Sequence, residues 1–307
     1  MNGVLIINKS AGLTSHDVVN RVRRILQQRS VGHLGTLDPL ATGVLPLVTG
    51  SFTRLAQFYA SSEKTYEGTI RFGFATDTYD ADGEPIGDVQ PAAISLSGLR
   101  DLARDFHGVI DQAPPPYSAK KIHGIPAYKL ARKKQPVDLK PVQVEIKDFE
   151  ILNVEEDIAA FRARVASGTY MRAIAHSMGQ RIGCGAHLET LCRNSVAEFT
   201  LNESHSLEEV ASAADHGRLQ KLFAHPRTLL PELPSVTGND EMTAKIRNGR
   251  PVNLPEFSSA RLVKVFHGQR ELIAIATRVA GTLFHAKIVF PGQEAVQDDP
   301  VLPEARS

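Results

Sequence analysis

The stretch GHLGTLDPLATGVLPL, residues 32–47, contains a single acidic residue, Asp38, among small and apolar side chains. Pro39 follows it directly, and Gly35 and Gly43 lie on either side. Aspartate is a favoured N-cap and proline suits the first helical position, so these residues favour a helix that begins here and runs through LATGVLPL. A lone carboxylate in apolar surroundings is also typical of a reactive group. The rest of the chain has to decide between a helix cap and a reagent.

The composition is that of an ordinary globular protein. The 307 residues are enough for two domains, and 42% of them are hydrophobic and 22% charged. No apolar run reaches the roughly 18 residues that a membrane-spanning helix needs. The N-terminal MNGVLIINKSAG lacks the charged start and long apolar core of a signal peptide. Two cysteines form no disulfide framework, which favours a reducing compartment, so we expect a cytoplasmic protein.

Two segments could be read as metal sites, and neither has the required ligands. His187 lies between the only cysteines, Cys184 and Cys192, but the spacing matches no zinc pattern and no fourth ligand is close in sequence. The segment TYDADGEP, residues 78–85, is similar to a calcium loop, yet Thr78 and a later valine stand where the first and last carboxylates should be. We expect a turn there, and no metal site in the chain.

Positive charge is concentrated in one segment. Residues 116–140, PYSAKKIHGIPAYKLARKKQPVDLK, hold seven Lys and Arg residues against the single Asp138, so this segment carries +6 and the rest of the chain −5. Such a patch is the electrostatic footprint of a phosphate backbone, and Tyr117 and Tyr128 between the charges suit stacking on bases. The alternative is a solvated basic helix face.

Hydrophobic periodicity predicts a mixture of helices and strands. Alternation predicts strands at 4–9, 66–74, 141–152 and 160–167, and helical spacing predicts helices that begin near Ser15, at 96 and after Gly168. A capping box, SLEE, starts a further helix at 206–209. This order favours an α+β fold with a mixed, mainly antiparallel sheet and helices on one side.

The C-terminal part has a different pattern. LLPELPSV, residues 229–236, has the proline content of a linker, and the residues beyond it alternate, with turns at HGQ and AGT. We therefore expect one domain over residues 1–230, a small all-β domain over 231–292, and a disordered acidic tail over 293–307.

Several motifs, in order, resemble those of the bacterial pseudouridine synthases that modify uridine 55 of tRNA, the TruB type. GHLGTLDPLATGVLPL is similar to the catalytic motif of that family. The other similar segments are NKSAGLTSHDVV (with Ser10 in place of the usual proline), KTYEGTIRFG, ATDTYDADGE, PPPYSAKKIHGIPAYKLAR and SGTYMRAIAHSMG. The similarity covers about residues 3–290. It implies a catalytic domain over 1–230 with an inserted RNA-binding thumb at about 113–141, and a PUA-like RNA-binding domain over 231–292.

The resemblance implies isomerisation of uridine to pseudouridine in the T-loop of tRNA. The N1–C1′ bond breaks and the base is rejoined through C5, with no redox change or energy input, so neither cofactor nor metal is implied. Asp38 would be the catalytic carboxylate, either by adding to the uracil ring or ribose or by removing a ribose proton. A carboxylate in a mostly apolar pocket stays ionised more readily beside a cation, and the resemblance assigns Arg172 as that cation, in an expected bidentate pair.

The resemblance also assigns the contacts to the substrate. The target base must be flipped out of its stack. Tyr66 is implied to stack on the flipped uracil and could take the proton from C5, His33 to fill the vacated stack, and Tyr170 to line the pocket. The candidate contacts to the RNA backbone are Lys9 and Lys64, for which structural pairing is an equal alternative, and Arg132, Lys133 and Lys134.

The implied partner is the T-arm stem-loop of tRNA, bound by a monomer that needs no protein partner and no membrane. Two other functions stay open. A guide-RNA-dependent synthase of the same superfamily would share the Asp38 motif, but the basic thumb argues against it. An RNA-binding or RNA-folding protein without turnover is the second, and the intact set of Asp38, Tyr66 and Arg172 argues against that.

Overall fold

The computed structural model describes residues 1–118, 120–122, 124–133, 135 and 137–292. The predicted tail at 293–307 and the predicted backbone contact Lys134 lie outside these residues. The strands are β1 (Gly3–Lys9), β2 (Val31–His33), β3 (Thr42–Thr49), β4 (Lys64–Phe72), β5 (Ala75–Thr76), β6 (Pro85–Ile86), β7 (Gly108–Gln112), β8 (Lys121–Ile122), β9 (Ile125–Pro126), β10 (Val142–Glu155), β11 (Ile158–Val165), β12 (Ala186–Val196), β13 (Phe199–Thr200), β14 (Ser235–Gly238), β15 (Val252–Asn253), β16 (Leu262–His267), β17 (Glu271–Ala280) and β18 (Leu283–Val289).

The α-helices are α1 (Ser15–Ile25), α2 (Ala56–Tyr59), α3 (Leu96–Arg104), α4 (Ala127–Ala131), α5 (Met171–Ile182), α6 (Leu207–Asp215) and α7 (Asp240–Arg247). Short 3₁₀ turns lie at Gly50–Leu55, Leu201–Glu203, Leu219–Leu222, Pro226–Thr228 and Pro255–Phe257. None of the helices in the described part of the chain is both long and apolar enough to cross a lipid bilayer.

One large sheet runs through the first two thirds of the chain in the order β1-β3-β12-β4-β11-β10-β7, with β2 paired to β3 and β13 to β12. Its pairs are antiparallel except β3 with β12, so the sheet is mixed and mainly antiparallel, as predicted. The parallel contact requires a very close approach at Gly43, where a Cβ atom would lie 2.4 Å from the carbonyl oxygen of Arg193. Glycine therefore fixes the strand that follows Asp38 against the middle of the sheet.

Both faces of this sheet are buried, and alternate residues of its strands belong to two different hydrophobic cores. In β1, Leu5 and Ile7 belong to a core formed with α1, α3, α5 and α6. Val4 and Ile6 belong to a second core on the opposite face. The predicted arrangement, with the helices on one side of the sheet, is confirmed for these four helices, because successive side chains of a strand point to opposite faces.

The C-terminal strands form a separate five-stranded sheet in the order β14-β16-β17-β18-β15, accompanied by α7. This is the small unit that the alternation predicted; with α7 it is β-rich and not all-β, and its boundary at residue 230 stays a prediction. The unit covers the second face of the large sheet: its Phe266, Ile275 and Phe290 share a core with Val4 and Val48. The unit is therefore packed onto the first sheet along an apolar surface.

Polar groups close this junction at the linker. Tyr59 donates its hydroxyl proton to Glu198 at 2.6 Å, and the same carboxylate accepts the backbone N–H of Leu230 at 2.9 Å. Lys264, which is buried in β16, donates to the carbonyl oxygens of Leu229 at 2.6 Å and Arg227 at 3.2 Å. The start of the linker is thus held by hydrogen bonds from both units.

Two predicted helix caps are wrong. The residues after Asp38 form a turn and then strand β3, so Asp38 caps no helix. The N-cap of α1 is Thr14, whose hydroxyl accepts from the N–H of Asp17 in a capping box, whereas the predicted cap Ser15 is buried and exchanges hydrogen bonds with the backbone of Leu37. Because Asp38 caps no helix, its carboxylate is free to make other contacts.

The basic segment projects beyond the large sheet between β7 and β10. It contains the two-stranded β8–β9 hairpin and the short helix α4. Lys121, Lys129 and Lys133 are exposed, and Arg132 lies over the ring of Tyr128 at 5.6 Å. The segment is an insertion into the sheet order, while its assigned limits at 113–141 stay a prediction.

Candidate active site

Asp38 lies in a loop between β2 and β3 and contacts Arg172 near the start of α5. The guanidinium Nε donates to Asp38 Oδ2 at 2.8 Å. The arginine side chain is only 6% exposed, while the aspartate side chain is 32% exposed. One oxygen of the carboxylate is therefore held by a buried cation, and Oδ1 accepts no hydrogen bond from any described residue.

The expected bidentate pairing of Arg172 with Asp38 is wrong, because the guanidinium is shared among several partners. Its Nη1 donates to the carbonyl oxygen of Thr78 at 2.9 Å and lies 3.4 Å from Asp80 Oδ2, and its Nη2 donates to the carbonyl oxygen of Tyr117 at 3.1 Å. The fork thus joins the Asp38 loop to the 78–80 turn and to the start of the basic segment. Its planar shape fixes all three directions at once.

Asp80 is a site residue that the sequence reasoning missed. Its side chain is only 7% exposed, and burial raises its pKa against the opposing effects of the Thr78 hydroxyl and Arg172. The turn was correctly predicted from TYDADGEP, since Ala75–Thr76 pairs with Pro85–Ile86 around it. The sequence contained a signal for this role. TYDADGEP has acidic residues arranged as in a calcium loop but too few ligands to bind calcium, so its carboxylates need other partners.

Lys9 holds the Asp38 loop from behind. Its side chain is fully buried, and its ammonium donates to the carbonyl oxygens of Ser10 at 2.9 Å, Leu13 at 2.8 Å and Pro39 at 3.2 Å. Burial lowers its pKa to about 8, and the charge of Asp38 opposes that effect. This geometry fits structural pairing and leaves no room for an RNA phosphate, so the backbone-contact interpretation of Lys9 is corrected.

A second buried cation supports the other side of the loop. Arg193, from β12, donates to the carbonyl oxygens of Val44 at 2.8 Å, Thr36 at 3.0 Å and Gly35 at 3.1 Å. Lys64 is also buried and donates to the carbonyl oxygen of Ser62 at 2.6 Å, and burial together with Arg193 lowers its pKa to about 8. Its contact with RNA stays a prediction that requires access to a largely enclosed ammonium.

The three predicted contacts to the base lie on elements that border the same loop. Tyr66 is buried in β4, directly opposite Arg193 of β12. His33 ends β2; its Nδ1 accepts from the N–H of Gly35 at 3.3 Å, and burial lowers its pKa. Tyr170 precedes α5, where burial raises its pKa and the charge of Asp38 acts in the same direction.

Gln112 at the end of β7 positions Tyr170, a role that the sequence did not predict. Its amide nitrogen donates to the Tyr170 carbonyl oxygen at 3.2 Å, and its amide oxygen accepts from the Tyr170 N–H at 2.8 Å. The pair of bonds ties the N-terminus of α5, and with it Arg172, to the sheet.

Within the described residues, no group of three or more His, Cys, Asp or Glu side chains is placed to hold a metal ion. The ring of His187 instead contacts the carbonyl oxygen of Phe74 at 3.2 Å and Glu189 at 3.1 Å. Cys184 is buried and Cys192 half-buried, both as free thiols.

The mixed sheet and the β-rich C-terminal unit are also found together in proteins of known structure. Two solved structures share the fold over 95% of this chain and 86% of theirs. One is a chain of an H/ACA RNP bound to a substrate RNA containing 2′-deoxyuridine, with 21% identity and a TM-score of 0.70. The other is a chain of a Cbf5-Nop10-Gar1 complex, with 23% identity and a TM-score of 0.70. At these identities the likeness concerns the fold alone.

Sequence comparison gives the family of the chain. Residues 23–171 match the family described as TruB family pseudouridylate synthase, N terminal domain. The chain is 45% identical to tRNA pseudouridine synthase B of Solibacter usitatus, over 94% of this chain and all of that protein. It is 37% identical to tRNA pseudouridine synthase B of Aquifex aeolicus, over 92% of this chain and 98% of that protein. The chain belongs to the TruB family of pseudouridine synthases.

Proposed function

We propose that this protein isomerises uridine to pseudouridine in tRNA, at position 55 of the T-loop. The relatives that carry this activity in their names are similar to the chain over nearly its whole length. The net reaction breaks the N1–C1′ bond, forms a C5–C1′ bond, and moves one proton from C5 to N1. It requires a carboxylate at the nucleoside and no electron transfer.

The observation that carries the proposal is that only one oxygen of the Asp38 carboxylate accepts a hydrogen bond from a described residue. Oδ2 is bound by the buried Arg172, Oδ1 has no hydrogen-bond partner among the described residues, and the side chain is 32% exposed. A carboxylate that is oriented by a cation and still exposed can act as a nucleophile or as a base on a nucleoside that enters from solvent. Lys9 and Arg193 fix the loop backbone on either side, so the orientation is set before the substrate arrives.

The remaining site residues take the flipped nucleoside. Tyr66 stacks on the extruded uracil and accepts the proton from C5, and its hydroxyl has no hydrogen-bond partner among the described residues. His33 enters the space that the base vacates. Tyr170 lines the pocket beside Asp38, held in place by Gln112. Extrusion of the base is required because the reacting atoms are covered in a stacked loop.

The exposed cations of the basic segment bind the T-arm backbone. Arg132 and Lys133 supply charge without base specificity, which suits a contact that orients the RNA. Because these RNA-binding cations belong to the same chain as the catalytic residues, the protein needs no protein partner. It acts as a monomer in the cytoplasm. A guide-dependent activity is less well supported, since the relatives at 35–45% identity are tRNA pseudouridine synthases B, while the likeness to the H/ACA chains concerns only the fold.

The test is a position-resolved pseudouridine map of an unmodified tRNA transcript incubated with the purified protein alone. We expect one modified site, in the T-loop. Asp38→Asn should abolish turnover while RNA binding stays within a few-fold, because the amide keeps the shape but is neither nucleophile nor base. Asp215→Asn, at an exposed position that ends α6, is the matched control and should be fully active. Pseudouridine formed by the Asp38 variant, or a requirement for a guide RNA, would contradict the proposal.

A further inference from the structure

A cavity of about 510 Å³ lies beside the Asp38 site and is lined by none of the site residues described above except Gln112. Its walls come from α5, from the end of β7, and from the turn that contains Tyr79. This volume falls in the range of small-molecule binding clefts, roughly 300–1,000 Å³. The cavity is therefore large enough for one nucleobase with part of its sugar.

The cavity shares a wall with the active site. His176 lines it and follows Arg172 by four residues, about 6 Å along α5. Tyr79 lines it from between Thr78 and Asp80, the two residues of the turn that contact Arg172. A nucleotide next to one whose sugar lies at Asp38 would therefore be within reach of this space.

The cavity offers an aromatic surface with an unused polar atom. The rings of Tyr79 and His176 are stacked, with centroids 3.7 Å apart and planes within 8°. Burial lowers the pKa of His176, which favours the neutral form of its ring. Its Nδ1 is buried and has no hydrogen-bond partner among the described residues. An unpaired buried nitrogen is costly, and a bound group that pairs with it would gain that free energy.

The charge of the lining selects a base over a phosphate. Asp105 and Asp111 line the cavity with a single cation, Arg181, which is already paired with Asp105 at 3.1 Å and lies over the ring of Phe106. Asp111 forms no ion pair with any described residue. A free carboxylate repels phosphate but accepts a hydrogen bond from an exocyclic amino group of a base.

We propose that this cavity is a second base-binding subsite, which takes the base of a nucleotide adjacent to the target uridine, and that this base bears an exocyclic amino group. The inference rests on the proposed function, because it requires a tRNA loop opened at Asp38. The Tyr79–His176 stack provides the surface on which the base lies. The Asp111 carboxylate accepts from its amino group.

The test uses binding to a T-arm hairpin in the Asp38→Asn background, where no turnover alters the RNA. The nucleotides immediately before and after the target uridine are replaced, one at a time, by an abasic residue. We expect one of the two replacements to weaken binding roughly 5- to 150-fold, the range for loss of one stacked base. His176→Ala should weaken binding of the intact hairpin by a similar factor and remove the effect of that abasic residue. His216→Ala, an exposed histidine at the end of α6, is the control and should change neither value.

The amino group is tested with Asp111→Ala at an exposed position of β7, since asparagine would keep an oxygen that accepts the same hydrogen bond. This change should weaken binding of the hairpin but not of one whose adjacent base lacks the amino group. The proposal is overturned if neither abasic residue weakens binding by more than about twofold, or if its effect persists undiminished in His176→Ala. Since turnover is measured separately on the wild-type protein, failure of the subsite would leave the proposed function standing.

Discussion

Replacement of Arg172 by lysine tests the central contact of the site. Lysine keeps the positive charge but has one nitrogen in place of the fork that now reaches Asp38, the Thr78 carbonyl and the Tyr117 carbonyl at 2.8, 2.9 and 3.1 Å. A single ammonium on this helix can meet at most one or two of these directions. At least one of these part-buried carbonyls therefore loses its donor, and the Asp38 carboxylate loses its fixed orientation.

The magnitude follows from the number of hydrogen bonds removed. A buried acceptor left unpaired costs about 1–3 kcal/mol, and we expect the free energy of unfolding to fall by about 2–4 kcal/mol. Loss of one charge-assisted bond to the reacting carboxylate, about 2–3 kcal/mol, corresponds to a fall in kcat of roughly 30- to 150-fold. Affinity for RNA should change little, because Arg172 is only 6% exposed and lies beneath the surface that meets the backbone.

The assay is single-turnover kinetics with saturating tRNA transcript, together with urea unfolding. Arg162→Lys is the matched control: its Nε also lies 2.8 Å from a carboxylate, that of Glu67, but the side chain is 52% exposed. Exposed pairs contribute about 0–1 kcal/mol, so this control should keep its rate and its stability. A rate for Arg172→Lys within about threefold of wild type would refute the reasoning and remove Arg172 from direct contact with the reacting group.

Three further predictions follow from the cations. Lys9→Met should lower kcat at least tenfold because Pro39 loses its ammonium donor, and a normal rate would show that Lys9 does not position the loop. Burial lowers the pKa of Lys9 and Lys64 from 10.5 to about 8, so the unfolded chain binds more protons than the folded chain between these pH values. The free energy of unfolding should therefore increase by up to about 3 kcal/mol per lysine as the pH rises from 8 to 10.5. Urea unfolding of wild type and of Lys64→Met over this pH range measures the difference, and an equal pH dependence of the two proteins would contradict the prediction. Replacing Arg132 and Lys133 by alanine should reduce the slope of log affinity against log salt by roughly 0.7–0.9 for each phosphate that the protein no longer neutralises, without changing the modified uridine, whereas an unaltered slope would mean a solvated surface.

The sequence predicted the elements of the fold well wherever a single periodicity was present. Strands β1, β4 and β11 and helix α5 lie close to their predicted positions because each has one strong pattern and a clear end. The helix expected after Asp38 failed for a physical reason. Asp-Pro followed by apolar residues is compatible with either element, and the strand is selected by pairing with β1 along its length and with β12, 150 residues away.

The sequence predicted which residues form the candidate site, but it did not predict which groups those residues contact. Motif similarity selected Asp38, Tyr66 and Arg172, but no local pattern shows that Arg172 divides its donors among three segments. Lys9 was ambiguous for the same reason, since burial of its ammonium depends on carbonyls brought together by folding. Long-range contacts of this kind cannot be read from spacing along the chain.

The apolar surface between the two sheets has a consequence for how the chain folds during synthesis. Val4 in the first strand shares its core with Phe290, after the last strand, and Phe52 lies against the Phe290 ring at 5.0 Å. A nascent chain can form β1 and β3 early, but the core on that face of the sheet is complete only after Phe290 has left the ribosome. At elongation rates of about 5–20 residues per second, the interval between Val48 and Phe290 lasts roughly 12–50 s. Throughout it, part of this apolar sheet face is exposed in the growing chain, and exposed apolar surface favours aggregation.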